Sequence, residues 1–505
     1  MTAAFVCISI VPPFILGFLL VDLLWAQDRR LLDDFALKCC FSVGLGVGVS
    51  SCLTFVWMAF AGRLNRGLFI VELALIVTLR AGLLFRRRNF LPRLRGDRPH
   101  AYDSRKPYWL RAAVAVGCVT AVIRFVCFSL ADPNGEWDAF AIWNMHARFL
   151  YRGGDSWTHF RFMTWSHPDY PLLIPASVAR SWEFVGRESK CAPAVIAFLF
   201  TFALIGVVSI SIARLRGERQ GLLAALVLLG TPFLITHGAS QYADVPLSFF
   251  FAASLSLLLL YLEGNTSQGL LVLAGLTSGL AAWTKNEGIL FVTAFFIALC
   301  LAALLFKDKT SSRVILKAWP LGCVPLIIVI ALYKALVRAS NDLISVNNAS
   351  NIHHFLQIWR FQMIVGAFAK EALTFGGWRL IFPIPAILAF YFLLMGATVD
   401  RRKLPATLVS VALPILMCCG YFAIYVVSPH DLKWHLDSSL NRLLLQVWPL
   451  CIIAFFTIVR SPEQALLSEY TLHRERYSDA PQIINDNSAP ERFSNLQEDS
   501  RVSRD

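Results

Sequence analysis

The chain is built mainly from apolar runs about as long as a membrane is thick. A helix crosses a hydrocarbon core of roughly 30 Å with about 20 apolar residues, whereas a barrel strand needs about 10 in an alternating pattern. Hydrophobic residues make up 57% and charged residues 16% of the 505, against roughly 25% charged in soluble domains. We therefore predict an all-α polytopic membrane protein with about 13 transmembrane helices. The predicted spans are residues 4–26, 36–62, 67–85, 109–130, 191–213, 220–238, 243–262, 269–284, 287–306, 318–337, 378–397, 404–427 and 440–459.

The orientation follows from a cluster of basic residues between the third and fourth spans, at residues 86–106. Loops rich in lysine and arginine stay in the cytoplasm, so this segment is predicted to lie inside and the N-terminus outside. Much of the net charge of +13 then faces anionic lipid headgroups, and no nucleic-acid partner is expected. The dense clusters of acids, histidines and amides all fall on the outer face, in residues 131–190, 237–244, 284–288, 338–377 and 428–442.

Three regions of the chain differ in composition. Residues 1–108 are predicted to form an appended three-helix membrane unit with a basic cytoplasmic loop. Residues 109–460 form the membrane module that carries the polar outer loops. Residues 461–505 are rich in Ser, Asn, Asp, Glu and Arg, which is typical of a disordered tail, here predicted to be cytoplasmic.

The first large outer loop is predicted to contain two short amphipathic helices on the membrane surface. Residues 138–152 form the first, ended by Gly153-Gly154, and residues 171–186 form the second, after the turn that begins at His167. The first helix is predicted to turn three aromatic side chains toward lipid, namely Phe140, Trp143 and Phe149.

Two carboxylates stand at the start of that loop. Glu136 and Asp138 alternate with aromatic residues in Gly135-Glu-Trp-Asp-Ala-Phe-Ala-Ile-Trp143. An aromatic setting favours a ligand of the size of a sugar or a lipid headgroup over bulk water. We interpret this stretch as the acid/base centre of an enzyme, with Asp138 near the mouth of the spans.

Four motifs in order resemble the polyprenyl-phosphate-sugar-dependent membrane glycosyltransferases of the GT-C fold, which include the protein O-mannosyltransferases and the lipid A aminoarabinose transferases. Asp138 matches the essential Asp at the head of a surface helix, although the family often has Asp-Glu where this chain has Asp138-Ala139. His167-Pro-Asp-Tyr-Pro-Leu172 is similar to the family's His-Pro-Pro-Leu turn. Tyr242-Ala-Asp-Val-Pro-Leu247 corresponds to a second acid, and Trp283-Thr-Lys-Asn-Glu-Gly288 is similar to its Leu-Thr-Lys-Gly turn.

This resemblance implies a GT-C-like fold with amphipathic surface helices in the first large outer loop. It also implies an inverting glycosyltransferase that moves a monosaccharide from a polyprenyl-phosphate donor to a glycan, lipid or protein acceptor. The expected location is a bacterial-type plasma (inner) membrane, with the active site on the extracytoplasmic, periplasmic face. Metal dependence stays open, because some relatives use a divalent cation on such acids and others use none.

The chemistry of sugar transfer assigns roles to several residues. A base must take the acceptor proton, and cations must stabilise the departing phosphate. Asp138 is the expected base, with Glu136 as the second candidate, and Asp244 is expected to orient a cation or a sugar hydroxyl. The donor phosphate is expected to bind Lys285, Arg442 and Arg124, the last taken as buried in the span that leads into the loop.

Other polar and aromatic residues of the outer loops are expected to bind substrate: Trp137, Trp143, His167, Tyr170, Tyr242, Glu287 and His435. The sequence has no Cys/His cluster with the spacing of a zinc site, so no metal ligand is assigned.

Structural alternatives exist for the charged residues. Asp244 has the spacing of a helix N-cap before Val245-Pro246, and Lys285 has the position of an anchor whose ammonium reaches the headgroups. Arg442 has Asp431 and Asp437 nearby as partners. The intramembrane charges Glu72 and Arg80 are spaced as an ion pair across two turns of one helix.

Two other function classes remain open. A polysaccharide polymerase or ligase that uses lipid-linked sugars would fit residues 428–442, which hold arginine and histidine, but fits the early Asp138 loop poorly. A secondary transporter would gather its polar residues near the bilayer midplane on broken helices, often in repeated halves. The sequence has no such repeat, and its polar residues lie at one surface.

Overall fold

The apolar runs fold into helices, as their length predicts. The computed structural model describes residues 2–25, 31–86, 107–263, 267–305, 309–340, 353–377, 383–398, 403–462 and 464–465. Within these ranges all regular elements are helices, apart from one isolated bridge between Ala397 and Val459. The α-helices are α1 Thr2–Leu24, α2 Leu31–Ala61, α3 Gly67–Arg86, α4 Tyr108–Ala131, α5 Asn144–Arg152, α6 Leu173–Val185, α7 Cys191–Arg216, α8 Glu218–Leu229, α9 Pro232–Ala239, α10 Asp244–Leu262, α11 Gln268–Thr284, α12 Glu287–Leu305, α13 Lys309–Val337, α14 Ile358–Thr374, α15 Ile384–Met395, α16 Leu404–Val427 and α17 Leu432–Ile458.

Ten of these helices are long and apolar enough to cross a membrane. Helices α8 and α9 are bent by 61° at their junction, and the number of spans rises to eleven if they count together as one. The other two predicted spans correspond to α11 and α15, which are shorter apolar helices. The multi-pass helical architecture is confirmed, whereas the count of about 13 spans is not. Helix α14, inside a predicted outer loop, was not predicted.

The helix ends gather at two opposite ends of the bundle. At one end, Lys38 pairs with Asp22 at 2.9 Å and Lys403 pairs with Glu263. At the other end, contacts connect all five predicted outer segments, including residues 131–190 and 428–442. The polar clusters therefore share one end. The basic segment that predicts which end faces the cytoplasm lies, apart from Arg86, outside the described residues.

The two helices predicted in the first outer loop are present, but only one has an exposed side. A π-helical turn, Ala139–Trp143, continues into α5, which ends at Arg152 with Gly153 as its C-cap. Helix α6 is buried from Leu173 to Trp182 and packs against α1, α2, α5 and α7. Helix α6 is therefore covered by other helices, because its small and apolar residues fit inside the bundle, and its place on the membrane surface stays a prediction.

The first three helices pack into the same compact unit as the rest of the bundle, which comprises residues 1–461. Phe55 of α2 contacts Trp283 of α11, with ring centroids 5.2 Å apart. Close approaches rely on glycine: a Cβ on Gly275 of α11 would lie 1.9 Å from the Trp319 carbonyl oxygen of α13. The division into an appended unit and a catalytic module stays a prediction. The predicted tail falls almost entirely outside the described residues.

Candidate active site

Asp138 forms an ion pair with an arginine far along the chain. Its Oδ2 atom contacts a terminal nitrogen of Arg442, on α17, and the two side chains are 21% and 22% exposed. Arg442 therefore pairs with neither Asp437 nor Asp431 in a described ion pair. The pair is partly open to solvent, so a ligand has access to it.

The segment that carries Asp138 is bound to the turn before α10. The Glu136 amide donates to the Ser240 carbonyl at 3.3 Å, and the Asp138 amide donates to the Tyr242 hydroxyl at 3.3 Å. Gly135 has a φ of +71°, and a Cβ there would lie 2.7 Å from the Ser240 carbonyl oxygen. Only glycine fits this approach without strain. These bonds fix the start of the helical segment beside Arg442.

Tyr242 lies under the ion pair. Its ring centroid is 5.6 Å from the Arg442 guanidinium carbon, which is a cation–π distance. Burial and the nearby Asp138 carboxylate raise the pKa of Tyr242 to about 12. The phenol therefore keeps its proton at physiological pH, and Tyr242 supports the pair as a neutral group.

Asp244 is the centre of a buried polar network and is not an N-cap. It is 1% exposed and lies in the first turn of α10 without a capping bond. Lys285 Nζ lies 3.0 Å from Oδ1, His237 Nε2 lies 3.3 Å from Oδ2, and the Gln446 amide donates to Oδ1. With these partners Asp244 holds the cation Lys285 and has little capacity left to act as a base.

Lys285 is buried and does not reach out to the headgroups. It is 5% exposed, and its ammonium also lies 2.8 Å from Glu287 Oε1. Burial opposes the charged form, but the Asp244 and Glu287 carboxylates outweigh it and raise the pKa of Lys285. The ammonium is therefore a permanent charge. Glu287 Oε2 is buried and has no hydrogen-bond partner among the described residues.

Three of the predicted substrate residues form a ring stack over Lys285. Tyr170 stacks on Trp143 with centroids 5.5 Å apart and on His167 at 5.0 Å. Lys285 Nζ lies 5.7 Å from the Tyr170 ring centroid. Trp143 is only 1% exposed, so the prediction that it faces lipid is wrong, and it supports Tyr170 from below the surface.

Polar residues also line the contact between α16 and α17. Tyr421 donates to Gln446 at 2.7 Å, Tyr425 and Ser439 exchange a hydrogen bond at 2.7 Å, and His435 Nδ1 lies 2.8 Å from Ser428 Oγ. Because Gln446 accepts from Tyr421, its amide nitrogen faces Asp244. The Ser428 hydrogen bond thus holds His435 within the outer segment 428–442.

Several predicted residues lie apart from this network. Trp137 is 71% exposed and Glu136 is also exposed. Arg124 is exposed on α4, so the prediction that it is buried is wrong: its face of α4 points out of the bundle. Glu72 pairs with Arg180 of α6, so the predicted pairing of Glu72 with Arg80 is also wrong.

We name five charged residues the charge cluster: Asp138, Arg442, Asp244, Lys285 and Glu287. They come from four places in the chain, since Lys285 and Glu287 lie in one turn. Helix α17 connects the Asp138 pair to the Asp244 network, because Arg442 and Gln446 are one helical turn apart. Gln446, Tyr421 and His237 were not predicted as site residues. The four-residue spacing from Arg442 to Gln446 is the sequence signal for Gln446. Among the residues that the structure describes, no group of three or more His, Cys, Asp or Glu side chains is arranged to hold a metal ion.

A comparison with known proteins gives a family match for the middle of the chain. Residues 169–335, about a third of the chain, match the protein-family profile described as dolichyl-phosphate-mannose-protein mannosyltransferase. The segment includes Asp244, Lys285 and Glu287, while Asp138 and Arg442 lie outside it. Searches of curated proteins and of solved structures gave no match. The resemblance to the GT-C glycosyltransferases is confirmed, and the match indicates a membrane glycosyltransferase that depends on a lipid-phosphate-linked sugar.

Proposed function

We propose that this membrane glycosyltransferase is an inverting enzyme. It moves a monosaccharide from a polyprenyl-phosphate donor to an acceptor at the extracytoplasmic face of a bacterial-type plasma membrane. The acceptor is a hydroxyl group of a glycan, a lipid or a protein. The observation that carries the proposal is the charge cluster, in which two cations, Lys285 and Arg442, are each held by a carboxylate.

The proposed reaction is a single displacement. The acceptor oxygen attacks the anomeric carbon while the bond from that carbon to the phosphate oxygen breaks. The electron pair of that bond stays on the polyprenyl phosphate, and Asp138 takes the proton of the acceptor hydroxyl. Attack on the face opposite the phosphate inverts the anomeric configuration.

The two cations suit the departing phosphate. Its leaving oxygen needs electrostatic stabilisation more than a proton, and preorganised cations supply it without rearrangement. Arg442 has five N–H donors, of which the buried Nε atom has no acceptor among the described residues. Arg442 therefore has the capacity to bind Asp138 and a phosphate oxygen together, while Lys285 contributes a fixed charge.

Asp138 suits the base role better than Glu136. The Arg442 contact uses Oδ2 of Asp138, and no described hydrogen bond or ion pair uses Oδ1. A hydroxyl that approaches Oδ1 would stand beside the cation that binds the phosphate. Glu136 is exposed, and no described ion pair holds it. Asp244 is the anchor of Lys285 in this proposal.

The polymerase or ligase alternative depended on residues 428–442. Because Arg442 contacts Asp138, the late segment and the early loop belong to one charge cluster. One transferase site accounts for both, so no observation favours a separate function for the late segment.

The experiment begins with mass spectrometry of the lipid that copurifies with the protein. The identified donor class, radiolabelled in the sugar, is then supplied to protein in lipid nanodiscs, with and without EDTA. We expect transfer of the label to an acceptor and a product anomer opposite to that of the donor. A retained anomeric configuration would contradict the single displacement, and absence of transfer from every lipid-phosphate sugar would contradict the function. Loss of transfer with EDTA would identify a metal requirement.

A further inference from the structure

The turn at residues 167–171 is held by a second polar group that the proposed reaction does not use. The Tyr333 hydroxyl, on α13, lies 2.7 Å from the Tyr170 carbonyl oxygen and 2.9 Å from the Pro168 carbonyl oxygen. Lys334 donates to the Asp169 carbonyl, and the Asn286 amide donates to the Asp169 carboxylate. Three consecutive backbone carbonyls of the turn thus face donors from α13.

The donors stand on a rigid base. Tyr333 is fully buried, and its ring packs against Trp283 and Phe55 with centroids 5.7 and 5.9 Å away. Lys334 also donates to Asn286 at 3.3 Å, which fixes the amide that binds Asp169. We name Tyr333, Lys334 and Asn286 the turn clamp.

The other side of the same turn faces the charge cluster. Tyr170 lies over the Lys285 ammonium and stacks on Trp143. Trp143 follows Asp138 by five residues, within the helical segment that Asp138 begins. The turn therefore contacts both the segment that carries the proposed base and the lysine that is proposed to bind phosphate.

A turn in this position needs external support. His167 has a φ of +48°, in the left-handed region that non-glycine residues seldom adopt. Buried carbonyls also need donors, since an unsatisfied one is costly. Without the Tyr333 hydroxyl, the Pro168 and Tyr170 carbonyls would lose the one proton that this hydroxyl shares between them, and the turn would relax toward water.

We propose that Tyr333 and Lys334 are positioning residues, which set the distance between Asp138 and Lys285 by holding the 167–171 turn. Neither residue has a described contact with Lys285 or Arg442, and both act through Tyr170. A small misplacement of reacting groups lowers the rate of the chemical step far more than it lowers ground-state binding. The kinetic part of this inference rests on the proposed transferase function, whereas its structural part does not.

The structural part is tested by hydrogen exchange. The Tyr170 amide donates to the His167 carbonyl at 3.0 Å, so its exchange rate reports on the turn. In Tyr333→Phe we expect exchange in residues 163–172 to rise about tenfold with an unchanged thermal unfolding midpoint. Tyr261→Phe, on α10, is the matched control and leaves the turn unchanged. Unaltered exchange in Tyr333→Phe would overturn the clamp.

The kinetic part is tested with Lys334 and Tyr333 variants. In Tyr333→Phe and Lys334→Met we expect kcat to fall about 10- to 100-fold while KM for the donor stays within about twofold. Lys334→Arg keeps a donor group and restores most of kcat. Lys317→Met, on the exposed side of α13, is the control and has no effect. A rise in KM at constant kcat, or unchanged kcat, would overturn the positioning role.

A double-mutant cycle tests whether the turn clamp affects kcat through Tyr170. If the clamp acts through the Tyr170 ring, Tyr333→Phe lowers kcat little further once Tyr170→Ala is present. Additive losses would contradict that route. If the unmodified protein transfers no sugar, the proposed function fails, while the exchange measurement still decides whether Tyr333 holds the turn.

Discussion

Two carboxylate–arginine pairs in this molecule look alike in composition and differ in access. Glu72 and Arg180 join α3 to α6, and both side chains are 2% exposed. Asp138 and Arg442 join the first outer loop to α17, and theirs are 21% and 22% exposed. Protein groups complete the first pair: Ser50 donates to Glu72 at 2.8 Å, and Arg180 donates to the Ser9 carbonyl at 2.7 Å.

The two pairs do not differ in the Nε atoms of their arginines. Both arginines have a buried Nε atom without an acceptor among the described residues, so that feature alone does not mark a ligand site. Arg442 differs because it is open on one side and lies one helical turn from Gln446, which binds Asp244. A charge inside a membrane helix invites a functional interpretation, but access and neighbours decide between chemistry and packing.

The largest effect is expected from breaking the buried Glu72–Arg180 pair. Arg180→Leu leaves the Glu72 carboxylate buried without its cation, which costs about 3–5 kcal/mol. We expect a lower thermal unfolding midpoint and less folded protein, measured by size-exclusion chromatography of heated samples. Turnover per folded molecule stays unchanged. The double variant Glu72→Leu/Arg180→Leu recovers stability, because two apolar side chains replace two charges. An unaltered midpoint in Arg180→Leu would remove the structural role.

Breaking the partly exposed Asp138–Arg442 pair is expected to weaken binding of the donor lipid. Arg442→Ala removes charge-assisted hydrogen bonds to phosphate, each worth about 1.5–3 kcal/mol, so the donor Kd rises about tenfold or more. Acceptor affinity changes less. The measurement is equilibrium binding of a polyprenyl-phosphate sugar in nanodiscs. Arg124→Ala, exposed on α4, is the matched control, and an equal loss in both variants would contradict the phosphate role of Arg442.

The smallest effect is expected from a change inside the charge cluster, at Glu287, and concerns the affinity for the donor. Glu287 competes with phosphate for Lys285, since both are anions within reach of one ammonium. Glu287→Gln is therefore expected to tighten donor binding severalfold, and the gain should shrink as salt is added. The same binding assay at two salt concentrations measures it. Weaker binding would instead assign Glu287 a direct contact with the sugar.

The sequence predicts the parts of the site that depend on helix ends. Asp138, Lys285 and Arg442 are charged residues at or near the ends of apolar runs on one predicted face. Their common location follows once the spans alternate. Asp244 was also found, but its role as an anchor depends on Gln446 and His237, whose side chains meet it only in the folded bundle.

Other features depend on tertiary structure that one sequence does not contain. Phe140 and Trp143, three residues apart, would share a face of an α-helix. The π turn bonds the Asn144 amide to the Ala139 carbonyl, which rotates that face and buries Trp143. The turn clamp joins α13 to a turn 163 residues earlier. Arg124 was misplaced because hydropathy does not distinguish a lipid-facing side of a span from a buried one.

The most direct test of the account is the single-turnover transfer rate of Asp138→Asn, measured beside its thermal unfolding midpoint. A general base contributes about 10²–10⁴ to the rate, so we predict a loss of that size with the midpoint unchanged. Glu136→Gln is the matched control and keeps its rate. Near-normal transfer by folded Asp138→Asn would contradict the claim that the open pair supplies the catalytic base.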